Sequence, residues 1–150
     1  MSTMQIDVSP ELKRAGRRFG YGIAVVINLV MLVVVQNILE WGWAPFLTDE
    51  FAQVVPWISL SLVVSILANL VYQFDDTRFV KSTGQIVTNL ISIFVSYQVL
   101  LVFPFDFSAY DFNWALIVRI VLILAMVGAG IGMLTEAVKL ASAEPHRERR

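Results

Sequence analysis

Cysteine is absent from this sequence, and histidine occurs once, as His146. Without cysteine the chain forms no disulfide, thiolate metal site or iron–sulfur cluster. A single histidine close to the carboxyl terminus argues against a multi-histidine metal centre or a haem held between apolar segments. Charged residues are also scarce, at 15% of the chain, whereas typical soluble chains carry roughly a quarter. These shortages predict a protein without a metal or other cofactor that is not an ordinary soluble domain.

Sequence signatures of catalysis are missing as well. There is no G-x-S-x-G motif, and no serine in the apolar segments has a His or Lys base nearby. No Asp, Glu or His lies deep in those segments, where it would be needed to relay protons. We interpret Asp75 and Asp76, in the stretch FDDTRFVK, as solvated acids that help to cap a short connection rather than as a phosphate–metal site. Basic residues do not form a patch with base-stacking rings, so we expect neither an enzyme nor a nucleic-acid-binding protein.

Four long apolar runs dominate the chain, which is 57% hydrophobic. A helix needs about 20 apolar residues to cross about 30 Å of hydrocarbon, and within lipid it satisfies its own backbone hydrogen bonds. The runs are Phe19–Leu39, Val54–Gln73, Thr83–Phe103 and Asn113–Leu134. They predict an all-α integral membrane protein, an antiparallel up-down four-helix transmembrane bundle whose immediate partner is the lipid bilayer.

The runs also divide the chain into three parts. Residues 1–18 form a basic amino-terminal segment, residues 19–139 the transmembrane domain, and residues 140–150 a polar tail. In the first part the motif SPEL predicts a helix start, with Ser9 as N-cap and Pro10 as the first helical residue.

Lys and Arg are distributed unevenly along the chain. Ten of the eleven lie before the first run, between the second and third, or after the fourth, and the connections 40–53 and 104–112 contain none. Because basic residues next to membrane spans favour the cytoplasmic side, the distribution predicts that both termini are cytoplasmic. The membrane would be a plasma or inner membrane.

The segment LVFPFDFSAYDFNW, residues 101–114, combines six aromatic rings with Asp106 and Asp111 and has no positive charge. Tyr and Trp suit a membrane–water boundary because each has an apolar ring and a polar group that needs water. All four tryptophans lie near this predicted outer boundary. We interpret the segment as an anchoring belt on the side away from the cytoplasm, with a site for a cation or lipid headgroup as the alternative.

Polar side chains occur within the apolar runs at helical spacing, so that those of one run share a helix face. They are Asn28 in the first run, Ser61, Ser65, Asn69 and Tyr72 in the second, and Gln85, Asn89, Ser92 and Ser96 in the third. We interpret them as hydrogen-bonding groups that hold helices together. The alternative is a polar pathway for an ion or a small solute.

The fourth run contains a G-x-x-x-G pair and one charge. Gly128 and Gly132 predict close helix packing, either within the bundle or with another copy. Arg119 lies inside the run, where charges seek partners or extend to the interface. Its candidate partners are the acids Glu40, Asp106 and Asp111.

Two functions fit these features. The first is a non-catalytic interaction or assembly subunit that binds a copy of itself or another membrane protein, which we favour because isolated Asn and Ser residues more often pack helices than line pathways. The second is a small channel or carrier that moves an ion or small solute along the polar residues of the second and third runs.

Overall fold

The computed structural model describes residues 10–143 of the chain, and within them it is all-α. The helices are α1 (Pro10–Trp41), a short 3-10 helix (Asp49–Gln53), α2 (Val55–Phe74), α3 (Arg78–Val102) and α4 (Trp114–Ala143). Each of the four α-helices is long and apolar enough to cross a membrane, which indicates a membrane protein. The predicted N-cap Ser9 and residues 144–150 of the tail lie outside the described part.

Three of the helices extend beyond the apolar runs that predicted them. α1 begins at Pro10 and α3 at Arg78, while α4 continues to Ala143. Hydropathy marks only the part of a helix that suits hydrocarbon, whereas backbone hydrogen bonding continues into the polar residues beyond it. Charged side chains are therefore carried on the same rigid helices as the apolar segments.

Turn residues define the ends of the apolar segments. α1 ends before Gly42, whose φ of 62° is left-handed, a conformation that glycine adopts without steric cost. α3 ends before Phe103, whose φ of 43° is also left-handed, and Pro104 follows it. Pro56 lies in the first turn of α2, where its missing N–H breaks no helical hydrogen bond.

The helices pack mainly as two pairs, α1 with α2 and α3 with α4, and the pairs meet along α2 and α3. A small core of Val35, Phe51, Val54, Val95 and Val99 joins α1, the 3-10 helix and α3. Many large apolar side chains of all four helices are exposed, and the most apolar part of α4 has no buried residue. Such a surface suits lipid, because lipid tails are as apolar as the side chains they cover.

Helix ends and connections meet in two groups. The first, here called the basic end, comprises the start of α1, the end of α2 with residues 75–77, the start of α3 and the end of α4. The second, here called the aromatic end, comprises the connecting segments 42–54 and 103–113. These two segments form a short antiparallel bridge between Leu47 and Phe105, and the N–H of Asp106 donates to the carbonyl of Phe46 at 2.8 Å.

Candidate functional site

Asp76, in the connection between α2 and α3, organises one half of the basic end. Arg17 Nε donates to its Oδ2 at 2.7 Å, and the Tyr21 hydroxyl donates to its Oδ1 at 2.9 Å. Lys81 Nζ lies 3.3 Å from the same Oδ1 and 5.4 Å from the centre of the Tyr21 ring. Partial burial raises the pKa of Asp76, but the hydrogen bonds from Tyr21, Arg17 and Lys81 outweigh burial and hold the pKa below its usual value.

Tyr72 connects this network to the start of α3. Its ring lies 5.5 Å from that of Tyr21, and its hydroxyl donates to the carbonyl of Lys81 at 3.3 Å. The ring crosses α3 directly over Gly84, where an added Cβ would lie 2.8 Å from Tyr72 Cζ. The contact therefore requires glycine at position 84, since any side chain there would displace the tyrosine.

Glu136, near the end of α4, organises the other half of the basic end. Ser82 Oγ, on a residue that is 2% exposed, donates to Glu136 Oε2 at 2.6 Å. Lys139 Nζ donates to Oε1 at 2.5 Å. The pair of Ser82 and Glu136 is thus a buried polar link between α3 and α4, and both carboxylate oxygens of Glu136 have partners.

A pocket of about 530 Å³ opens between the two halves. Its lining consists of charged and polar side chains: Arg17, Asp76, Arg78, Lys81, Ser82, Gln85, Glu136 and Lys139. Four of these are basic and two are acidic, so the lining carries a surplus of positive charge. Arg78 forms none of the ion pairs found in residues 10–143.

Sequence reasoning missed most of this arrangement. Asp75 does cap its connection, since it accepts a hydrogen bond from the N–H of Thr77 at 3.0 Å, but Asp76 is bound by three side chains instead of being freely solvated. Glu136 is not among the predicted site residues, since it follows the predicted fourth span. A signal was present: Glu136 and Lys139 are three residues apart, a spacing that places them together on a helix.

The polar residues within the spans do not come together in one site. Asn28 donates to the carbonyl of Ala24, Asn69 to that of Ser65 and Ser61 to that of Ile58; these bonds stay within one helix. Ser92 and Gln85 are exposed, and Ser65 and Ser96 are half-buried. In the described part of the chain, side-chain hydrogen bonds between helices instead lie at the basic end, where Tyr72 takes part.

The two glycines of the G-x-x-x-G pair face different surroundings. A Cβ at Gly132 would lie 2.9 Å from Asn89 Nδ2, so this glycine allows α4 to approach α3 closely. A Cβ at Gly128 would meet no atom within 4 Å, and Gly128 is exposed. Gly132 therefore serves packing within the chain, whereas Gly128 lies on the outer face of α4.

Arg119 lies near the aromatic end, on a ring rather than on an acid. Its guanidinium carbon is 4.3 Å from the centre of the Phe103 ring, and within residues 10–143 it forms no ion pair with Glu40, Asp106 or Asp111. Phe103 in turn packs against Phe105, which stacks on Phe107. Arg119, the one charged residue that the sequence places inside a predicted span, thus lies against this cluster of rings.

The acids of the aromatic end belong to turns and exposed surface. Asp106 Oδ1 accepts the N–H of Ser108 at 2.9 Å, and hydrogen bonds from the backbone and hydroxyl of Ser108 lower the pKa of Asp106. Asp111 is exposed. Among residues 10–143, no group of three His, Asp or Glu side chains is placed to hold a metal ion.

Comparison of the chain with protein-family models, with curated proteins and with solved structures gives no match.

Proposed function

We propose that the protein is a non-catalytic subunit of an oligomeric membrane complex, which assembles through the outer face of α4. The observation that carries this proposal is the surroundings of Gly128: apart from the backbone of its own helix and its two chain neighbours, no atom of residues 10–143 lies within 4 Å of where its Cβ would be. A glycine on an outward face costs about 1 kcal/mol of helix stability relative to alanine. That cost is offset where another helix backbone packs closely against the glycine.

Other features of α4 also support a partner on that face. Its extensive contacts within the chain are with α3 alone, and Val121, Leu124 and Ile131 are exposed. At about 100° per residue these three side chains surround Gly128 on one side of the helix. Together they form an apolar face with a shallow centre, into which a second helix fits.

The test is the mass of the particle purified in mild detergent. Gly128→Leu fills the shallow centre without a clash inside the described chain, so it should reduce the wild-type assembly to a single chain that remains folded. The matched control is Gly20→Leu on α1, because Gly20 is also exposed with no neighbour within 4 Å. A wild-type particle that contains one chain and nothing else would refute the proposal, as would an assembly unaffected by Gly128→Leu.

The channel or carrier has less support. Of its supposed pathway residues, Ser61 and Asn69 bond to carbonyls of their own helix, and Gln85 and Ser92 are exposed. A pathway would therefore require several copies that bring the polar faces around one axis. Solute flux into vesicles containing the purified protein, abolished by Asn89→Leu with the assembly intact, would favour the channel and count against the subunit.

We also propose that the four helices cross the membrane in antiparallel up-down order with both termini in the cytoplasm. Three contacts support it: the start of α1 meets the segment after α2 through Arg17 and Asp76, and the start of α3 meets the end of α4 through Ser82 and Glu136. The segments 42–54 and 103–113 pair at the opposite end. The distribution of Lys and Arg supports the cytoplasmic assignment of the basic end.

Because the chain has no cysteine, a single introduced cysteine reports this orientation. Ser108→Cys at the aromatic end should react with a membrane-impermeant maleimide in intact cells. Ala15→Cys at the start of α1 should react only after the membrane is permeabilised. The opposite pattern would invert the orientation, and reaction of both in intact cells would contradict the antiparallel order.

A further inference from the structure

The pocket at the basic end has more positive charge than its own acids can neutralise. Asp76 is bound on Oδ1 by Tyr21 and Lys81 and on Oδ2 by Arg17. Glu136 is likewise bound on both oxygens, by Lys139 and Ser82. With both carboxylates engaged, the four basic side chains of the lining leave a surplus of two positive charges.

Several donors around the pocket remain available to an anion. Arg78 forms no ion pair in the described chain, and Arg17 uses its Nε on Asp76, which leaves its two terminal nitrogens. Guanidinium groups bind the oxygens of a phosphate or a carboxylate in pairs. α3 also begins at Arg78 with no side-chain cap on its first turn, so the positive end of its dipole adds to the same field.

An apolar groove adjoins the charged pocket. It has a volume of about 390 Å³ and runs along α4 between Ile131, Leu134, Thr135 and Val138. Lys139 lines both the groove and the charged pocket, so the groove lies next to the pocket. A free anion would use only the pocket, whereas an amphiphile would place its charged group in the pocket and a hydrocarbon chain in the groove.

We infer that the basic end binds an anionic phospholipid, with its phosphate between Arg17 and Arg78 and an acyl chain along the groove beside Lys139. The site lies at the predicted cytoplasmic boundary, where anionic lipids attract basic residues. The contacts of the lipid all come from one chain, and of the groove residues Ile131 also belongs to the face of α4 proposed for a partner, so the lipid would lie at the edge of that face. Bound lipid would bridge α1, α3 and α4.

The experiment measures thermal unfolding of the purified full-length protein in neutral detergent while lipid is added. Phosphatidylglycerol should raise the unfolding temperature at concentrations at which phosphatidylcholine with the same acyl chains has no effect. Inorganic phosphate at equal concentration should have no effect either. Equal shifts with the two lipids would overturn the inference, and an equal shift with inorganic phosphate would replace the lipid by a soluble anion.

Single substitutions test whether the lipid binds at the charged pocket. Arg78→Gln removes a guanidinium that forms no ion pair among residues 10–143. It should weaken the phosphatidylglycerol effect about tenfold in concentration, as the loss of one charged hydrogen-bonding partner would. The control is Lys13→Gln, which removes the same charge from an exposed position of α1 outside the pocket and should leave the effect unchanged. Equal weakening by the two variants would show that lipid is attracted by net charge alone, and the site would be refuted.

Discussion

At the basic end, side chains from four helices meet through ion pairs and charged hydrogen bonds, whereas at the aromatic end two connecting segments meet through backbone hydrogen bonds and stacked rings. The rings of Phe46 and Phe107 stack with centres 5.6 Å apart, and no ion pair of the described chain lies at that end. The comparison separates two ways of joining helix ends. The contacts of the basic end depend on the protonation state of its acidic and basic side chains. Those of the aromatic end depend on the area and the shape of the stacked rings.

The difference also concerns which elements are joined. At the aromatic end the polar contacts lie between the two connecting segments, and the helices are joined by apolar packing of Phe51 and Val54 against Val35, Val95 and Val99. The basic end joins the helices themselves, through Tyr72 over Gly84 and through Ser82 with Glu136. Changes to polar side chains at the basic end should therefore alter the contacts between helices more than changes to polar side chains at the aromatic end.

The largest effect is expected from Gly84→Ala. The new methyl group would overlap the Tyr72 ring, which is held by Tyr21 and by the Lys81 carbonyl. Overpacking of this kind lowers the free energy of unfolding by about 1–3 kcal/mol, which thermal denaturation in detergent would measure. The control is Gly130→Ala, where nothing lies within 4 Å and a small gain in stability is expected.

A double substitution then tests the cause. In a Tyr72→Leu background, Gly84→Ala should cost much less than it does alone, because the overlapping ring is gone. Equal costs in both backgrounds would mean that Tyr72 is not the neighbour that makes glycine necessary.

An intermediate effect on stability is expected when the pH is lowered. Asp76 has a lowered pKa in the folded protein, so its ionised form stabilises the fold above the unfolded pKa of about 3.9, and this stability is lost as pH falls through the folded value. Asp76→Asn should lower stability at neutral pH and flatten the decline below about pH 4. Unfolding temperature measured as a function of pH would show both effects.

The control for Asp76 is an acidic residue of the aromatic end. Asp106 also has a lowered pKa, and the sign of its contribution is the same, but it caps one exposed turn and joins no helices. Asp106→Asn should flatten the acid decline less than Asp76→Asn does. If the order were reversed, the contrast between the two ends would not hold.

The smallest effect is expected from Arg119→Leu. The contact of its guanidinium with the Phe103 ring is a cation–π interaction, which contributes about 0.5–1 kcal/mol at exposed sites. Phe103→Leu should cost more, since it also removes the packing against Phe105, but in that background Arg119→Leu should have almost no further effect. A larger loss, or additive losses in a double-mutant cycle, would point to an acidic partner for Arg119 instead.

The sequence predicted the helices well and their polar contacts poorly. The four apolar runs predicted four helices because hydropathy over 20 residues is a strong local signal. The basic end could not be predicted in the same way, since Asp76 and Arg17 are 59 residues apart and meet only once α1 and α2 have packed. For Asn28 and Asn69 the difficulty is another one. Each has a carbonyl of its own helix within reach, and sequence spacing alone does not show whether an Asn will bond to that carbonyl or to a group on a neighbouring helix.

The contact of α4 with essentially one neighbour has a consequence for biogenesis. As the chain is synthesised, α1, α2 and α3 leave the ribosome first, and they hold the residues for the Asp76 network and for the contact of Tyr72 with Gly84. The hydroxyl of Ser82 and the amide of Asn89 then remain without their α4 neighbours until the last helix is complete. Packing of α4 is therefore the step that brings Glu136 to Ser82 and Gly132 to Asn89, and it covers two polar groups of α3.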